Sequence, residues 1–187
     1  AEQADLLLIC GDLYEQEYSR KSTIHYICDQ FQRIPHIPVV IVPGNHDPLT
    51  VDSYYLNWNW PSNVHILDEK TTFFEHSQTG ARVYSRLPGK NELDKSRINI
   101  LAYHGTLDMP FSTDAYNPIE SGDIEECGFD YCALGHFHTC FMNAGNKKRI
   151  FNAGSPEPLG FDEDGEHGVI IASVDKHQGN ESVVEAD

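Results

Sequence analysis

Four short apolar runs along the chain stop at the same kinds of residue. Leu6-Leu7-Leu8-Ile9-Cys10 leads into Gly11-Asp12, and Val39-Val40-Ile41-Val42 leads into Pro43-Gly44-Asn45-His46-Asp47. Ile98 to Tyr103 leads into His104-Gly105, and Tyr131-Cys132-Ala133-Leu134 leads into Gly135-His136-Phe137-His138. Runs of this length and composition predict buried strands. Between the first two, Ile24, Ile27, Cys28 and Phe31 fall at i, i+3, i+4 and i+7, which predicts an amphipathic helix over Thr23–Arg33. Pro35 and Pro38 stop it. Strand, helix and strand then form a β-α-β unit with a parallel pair.

The remaining pattern is finer. Val64–Leu67, Thr71–Phe74 and Ala81–Tyr84 read as short strands in an antiparallel run. Ser121-Gly122-Asp123 is expected to cap a short helix that Gly128 ends. Phe141–Phe151 reads as a hairpin turning at Gly145-Asn146. The apolar run Val169–Val174 and the short run Ser182–Val184 read as another, around Gly179-Asn180. Tyr54, Tyr55, Trp58 and Trp60 crowd one loop. Packing of that loop onto the core is the plainer reading, and stacking on bases is the other.

The chemistry lies at the ends of the runs. In α/β folds ligands gather at the carboxyl ends of strands. Asp12, Asn45, His46, His104, His136 and His138 would therefore share one site. Carboxylate, amide and imidazole groups suit a pair of divalent ions such as manganese, iron or zinc. A structural thiolate zinc site is disfavoured, because no cysteine stands among these candidates. Gly135 is expected to take the unusual backbone angle that turns both following imidazoles to one side.

In order along the chain, Gly11-Asp12, Gly44-Asn45-His46-Asp47, His104-Gly105 and Gly135-His136-Phe137-His138 resemble the motifs of calcineurin-like metallophosphoesterases. The stretches Gly128–Leu134 and Gly154–Phe161 resemble the SbcD-type DNA repair exonuclease branch. The resemblance implies an α/β, four-layer αββα sandwich, with residues 1–187 forming one domain. It implies Asp12 as the bridge between two metals, Asn45, His104 and His136 on the second metal, and His138 on the first. His46 is read as a non-ligand that donates a hydrogen bond to the phosphate oxygens or protonates the leaving alkoxide, and Asp47 is expected to accept a hydrogen bond from His46. Relatives usually carry Asp where Glu15 stands.

An earlier strand of the family ends in Asp-x-His and supplies the first metal. Nothing upstream of Asp5 does so here, so an incomplete N-terminus and a damaged first site are expected. Asp175-Lys176-His177 is assigned to the hairpin, not to the metals. The implied activity is metal-dependent phosphodiester hydrolysis, with DNA as substrate and an SMC-like ATPase of SbcC type as partner. A phosphomonoesterase or small-molecule phosphodiesterase, and a catalytically silent domain, are the alternatives. A homodimer is compatible with the sequence.

Composition qualifies this. The chain has 29 acidic against 13 basic residues and a formal charge of −16. Phosphate backbones attract basic faces, so weak affinity for DNA is expected from this chain alone. No apolar run approaches the ~20 residues of a membrane helix. Five cysteines, mostly in apolar stretches, are expected as buried thiols in a reducing cytoplasm.

Overall fold

The computed structural model describes residues 4–89, 92–109, 115–158, 160, 163, 165, 167–176 and 182–186. β1 (Leu7–Cys10), α1 (Lys21–Gln32) and β2 (Val39–Val42) form the expected β-α-β unit. β1 and β2 pair in parallel from Leu7↔Val39 to Cys10↔Val42. α1 buries Ile24, Cys28 and Phe31, the stripe that the spacing predicts. α2 (Tyr54–Asn57) follows, opened by Ser53, whose hydroxyl accepts the Tyr55 N–H at 3.0 Å. β3 (Val64–Ile66) then adds to β2 in parallel, completing a three-stranded sheet in the order β1-β2-β3.

This corrects the antiparallel run expected over Val64–Tyr84. Only β4 (Phe73–Glu75) and β5 (Arg82–Tyr84) are antiparallel neighbours, and they belong to the other sheet. The chain crosses between sheets just after Leu67, which is buried in the core between them. Short strands with turns on either side carry no signal for such a crossing.

The second sheet is built on β6 (Asn99–His104), β7 (Tyr131–Gly135), β8 (Phe141–Ala144) and β9 (Ile150–Asn152), with α3 (Ser121–Cys127) between β6 and β7 in the chain. Its order is β4-β5-β6-β7-β9-β8, with β5, β6, β7 and β9 parallel. β8 and β9 form the expected hairpin. Gly128 ends α3 in the left-handed conformation at φ 87°. Ser121 does not cap α3. It is the first helical residue, and its N–H donates to Asp108 Oδ1 at 2.7 Å.

Side chains alternate along the central strands and define four layers. Val39 and Ile41 of β2 face α1 and α2 with Ile24, Phe31 and Tyr55. Val40 and Val42 face the second sheet, where Val83, Ile100, Ala102, Tyr131 and Phe151 meet them. The opposite side chains of that sheet, Leu101, Cys132, Leu134 and Ile150, pack with Ile124 of α3 and Phe129. Burial on both faces is why these strands read as unbroken apolar runs. The architecture is the α-β-β-α sandwich implied by the motifs.

β10 (Ala172–Lys176) and β11 (Ser182–Ala186) pair antiparallel, and Ala172, Val174 and Val184 pack against the inter-sheet core. Asp175 stands in this ladder opposite Val183, while His177 lies outside the described residues. Lys176 Nζ meets Asp130 Oδ2 at 3.0 Å, where Asp130 also accepts the Asn99 N–H. That contact is at the start of β6 and β7, opposite the strand ends that carry the motifs.

Candidate metal centre

The carboxyl ends of β1, β2, β6 and β7 converge. His104 lies level with Gly135 across the β6–β7 ladder, and Cys10 lies level with Val42. The sheets approach so closely that a Cβ on Gly135 would collide with the Cys10 carbonyl, and one on Gly11 with the His104 ring. Gly135 is thus needed for space. The unusual angle expected of it falls on its neighbour, His136, at φ 90°, and on Asp12 at φ 56°. Both are non-glycine residues in the left-handed region, a strain typical of functional sites.

Asp12, His104 and His136 each bring one ligand atom to within 4.8 Å of the others. Asn45 joins them. Its Oδ1 lies 2.8 Å from His104 Nε2 and 3.1 Å from His136 Nδ1. Asp12 Oδ2 is 3.3 Å from His104 Nε2. On its other side, His104 Nδ1 faces the Cys10 carbonyl at 2.7 Å. His104 therefore faces oxygen acceptors at both nitrogens. If Nδ1–H donates to Cys10, the Nε2 lone pair points at the Asn45 amide and the Asp12 carboxylate, a place a cation would fill. A second imidazole proton or a metal ion does so, and the residues present fit a divalent ion.

The titration behaviour follows from the same geometry. Burial works against charge on His104, but the Asp12 hydrogen bond, the Cys10 carbonyl and nearby carboxylates outweigh it and raise its pKa. Burial likewise opposes ionisation of Asp12, yet His104 and the His46 amide hold its carboxyl below the ordinary value. His136 is pushed down, by burial first and then by the His104 charge, which favours the neutral ring that a metal needs.

Asp47 sits behind this cluster with no exposed surface. It accepts the N–H groups of Asp12 (2.9 Å), Leu13 (2.7 Å) and Gly44 (2.6 Å), and the Tyr55 hydroxyl (2.6 Å). Burial raises its pKa, while Tyr55 and the three amides oppose the rise. The expected contact with His46 is absent. Asp47 turns inward to the backbone, and the partner of His46 is Glu15, with Nδ1 2.7 Å from Oε2. Both side chains are exposed by more than a third. The Gln16 N–H donates to the His46 carbonyl at 2.8 Å and holds the two loops together. The His46 N–H donates to Asp12 Oδ1 at 2.9 Å.

His138 stands outside the group formed by Asp12, His104 and His136. Its side chain is half exposed, and Nδ1 faces Glu163 Oε1 at 2.6 Å. Glu15, Tyr55, Tyr116 and Glu163 all touch a site residue. The sequence marked Glu15 only as a departure from the relatives and Tyr55 only as one of the crowded aromatics. Tyr116 and Glu163 were passed over. The crowded aromatics pack as expected, with Tyr55 buried and Tyr54, Trp58 and Trp60 against the same cluster.

A profile of the calcineurin-like phosphoesterase superfamily domain matches residues 1–177. The chain is 27% identical over 190 aligned residues to the uncharacterized metallophosphoesterase YhaO of Bacillus subtilis, covering 92% of the chain and 46% of that protein. It is 24% identical over 178 aligned residues to a component of the nuclease SbcCD of Staphylococcus epidermidis, covering 75% of the chain and 48% of that protein. The chain thus spans about half the length of the curated relatives it matches.

Proposed function

The chain belongs to the calcineurin-like phosphoesterase superfamily, and from that premise we propose a metal-dependent phosphodiesterase, a DNA exonuclease or endonuclease of SbcD type in DNA repair. The observation that carries the reading is the convergence of Asp12 Oδ2, Asn45 Oδ1 and His136 Nδ1 around His104 Nε2. Similarity to a component of a nuclease, SbcCD, supports the choice of DNA.

Asp12, Asn45, His104 and His136 would hold one divalent ion, with Asp12 bridging to a second that His138 helps to bind. Manganese is the proposed metal, with iron or zinc as alternatives. Such ions supply a Lewis acid for the phosphate and an activated water. The chain supplies the rest. Glu15 accepts the His46 Nδ1–H and fixes the ring, so that protonated Nε2 donates to a phosphate oxygen or the leaving alkoxide. Asp47 acts one step back, fixing the backbone of Asp12 and Gly44.

An SMC-like ATPase of SbcC type is the proposed partner, and the cytoplasm the proposed location. Among the described residues no helix is long and apolar enough to cross a membrane. A formal charge of −16 favours a second reading, a small-molecule phosphodiesterase or phosphomonoesterase. Manganese-dependent hydrolysis of linear duplex DNA by the full-length protein, beside a chromogenic phosphate ester, decides between them. Chelator-sensitive DNA cleavage is expected. Turnover of the ester alone would establish the second reading, and no metal-dependent turnover would indicate a silent domain.

A further inference from the structure

The two imidazoles of the candidate site are held in different ways. His104 has a backbone acceptor, since Nδ1 faces the Cys10 carbonyl at 2.7 Å. Metal-binding histidines usually have such a partner on the nitrogen away from the ion, and it fixes both tautomer and ring orientation. Among the described residues, His136 has no hydrogen-bond partner other than Asn45 Oδ1, which lies on the ligand side. Its neighbours are rings. Tyr116 stacks on it at 5.6 Å between centroids and 28° between planes, and Phe137 meets it edge-on at 6.0 Å. Tyr116 also meets His104 at 5.6 Å and 74°, and the two imidazoles are 5.2 Å apart at 77°.

The backbone of Tyr116 is fastened to the strand that carries His104. Its carbonyl accepts the Thr106 N–H at 2.8 Å and the Thr106 hydroxyl at 3.2 Å. The Tyr103 hydroxyl donates to the Asn117 carbonyl at 3.1 Å. A parallel bridge joins Leu107 to Ile119. A Cβ on Gly105 would collide with the Asn117 carbonyl, so the segment lies directly on the end of β6. A ring fixed to β6 therefore presses on a histidine from β7.

We propose that Tyr116 is a positioning residue that sets the orientation of His136, in place of the hydrogen bond that orients His104. It rests on the metal-site reading above. The ring face does the positioning, not the hydroxyl, so Tyr116→Phe keeps the function and Tyr116→Leu, apolar but without a ring, loses it.

The test is manganese titration calorimetry on the full-length protein and both variants, with the His136 imidazole nitrogens followed by NMR. Tyr116→Phe should bind within about twofold of the unsubstituted protein. Tyr116→Leu should bind about tenfold or more weakly, the range seen when an outer-shell partner is lost. Its melting temperature in chelator should stay unchanged, which separates positioning from general packing. Equal affinity of Tyr116→Leu and the unsubstituted protein overturns the inference alone. An affinity loss matched by an equal fall in melting temperature also overturns it, in favour of packing. No manganese binding by the unsubstituted protein overturns the metal-site reading and this inference with it.

Discussion

The two halves of the candidate site are built differently. On one side, Asp12, Asn45, His104 and His136 meet at strand ends where two sheets nearly touch, and His104 is almost fully buried. On the other, His46 and His138 stand half exposed on loops, each facing a single glutamate, Glu15 or Glu163. On the first side only His104 is buried, while Asp12, Asn45 and His136 are half-buried, and all four are held where the strand ends place them. On the second each ring has one carboxylate contact, open to water at Glu15 and largely buried at Glu163. The open position of His46 suits a proton donor that must meet a leaving group.

The contrast breaks most sharply at Asp47. Asp47→Ala would leave three backbone N–H groups and the Tyr55 hydroxyl without their acceptor in a fully buried place. Each unmet donor costs about 1–3 kcal/mol, so a loss of roughly 3 kcal/mol or more is expected in denaturant unfolding. Manganese binding should fall with it, because Asp12 and Gly44 lose their anchor. A stability change below about 1 kcal/mol would mean that the strand ends do not depend on this carboxylate.

On the exposed side the same kind of deletion should touch chemistry and spare the fold. His46→Ala is expected to lower turnover by about 10²–10⁴-fold, the usual worth of a positioned acid. Manganese content by elemental analysis should not change. Loss of metal in this variant would make His46 a ligand and move it across the divide.

The buried side was also the more legible in the sequence. β2, β6 and β7 are covered on both faces, so their apolar runs are continuous and end abruptly at Asn45, His104 and His136. Contacts between the loops were not legible. Glu15 and His46 are 31 residues apart on loops brought together by the parallel pairing of β1 and β2 and by bonds between the loops. Asp47 looked like the partner of His46 because it is adjacent in the chain, but successive residues of this turn point opposite ways. The sheet change after Leu67 was hidden for a related reason. Strands of three residues carry too little pattern to say which sheet they join.

Glu15→Gln sharpens the comparison by testing how much one exposed partner matters. In a buried triad, loss of the carboxylate that fixes a catalytic histidine costs about 10⁴-fold. Here glutamine keeps an amide oxygen that can accept the ring N–H, and the pair is open to water, so only the charge is lost. A loss of about tenfold in turnover is therefore expected, with manganese affinity unchanged and stability within about 0.5 kcal/mol. A loss near that of His46→Ala would show that the pair acts as one unit despite its exposure.

A small structural effect is expected at His138. His138→Ala removes a ring that is half exposed, faces the largely buried Glu163 and lies outside the group formed by Asp12, His104 and His136. Unfolding free energy should fall by about 1 kcal/mol, because the Glu163 carboxylate loses this partner. Its effect on metal should be selective. The ion held by Asp12, Asn45, His104 and His136 should bind as before, and only a second, weaker ion should lose affinity. Manganese titration of His138→Ala beside His136→Ala reads this directly, since the latter should lose the tighter ion first. Equal loss of both ions in both variants would show that the two halves of the site bind metal together, and that strand-end and loop ligands form one rigid centre.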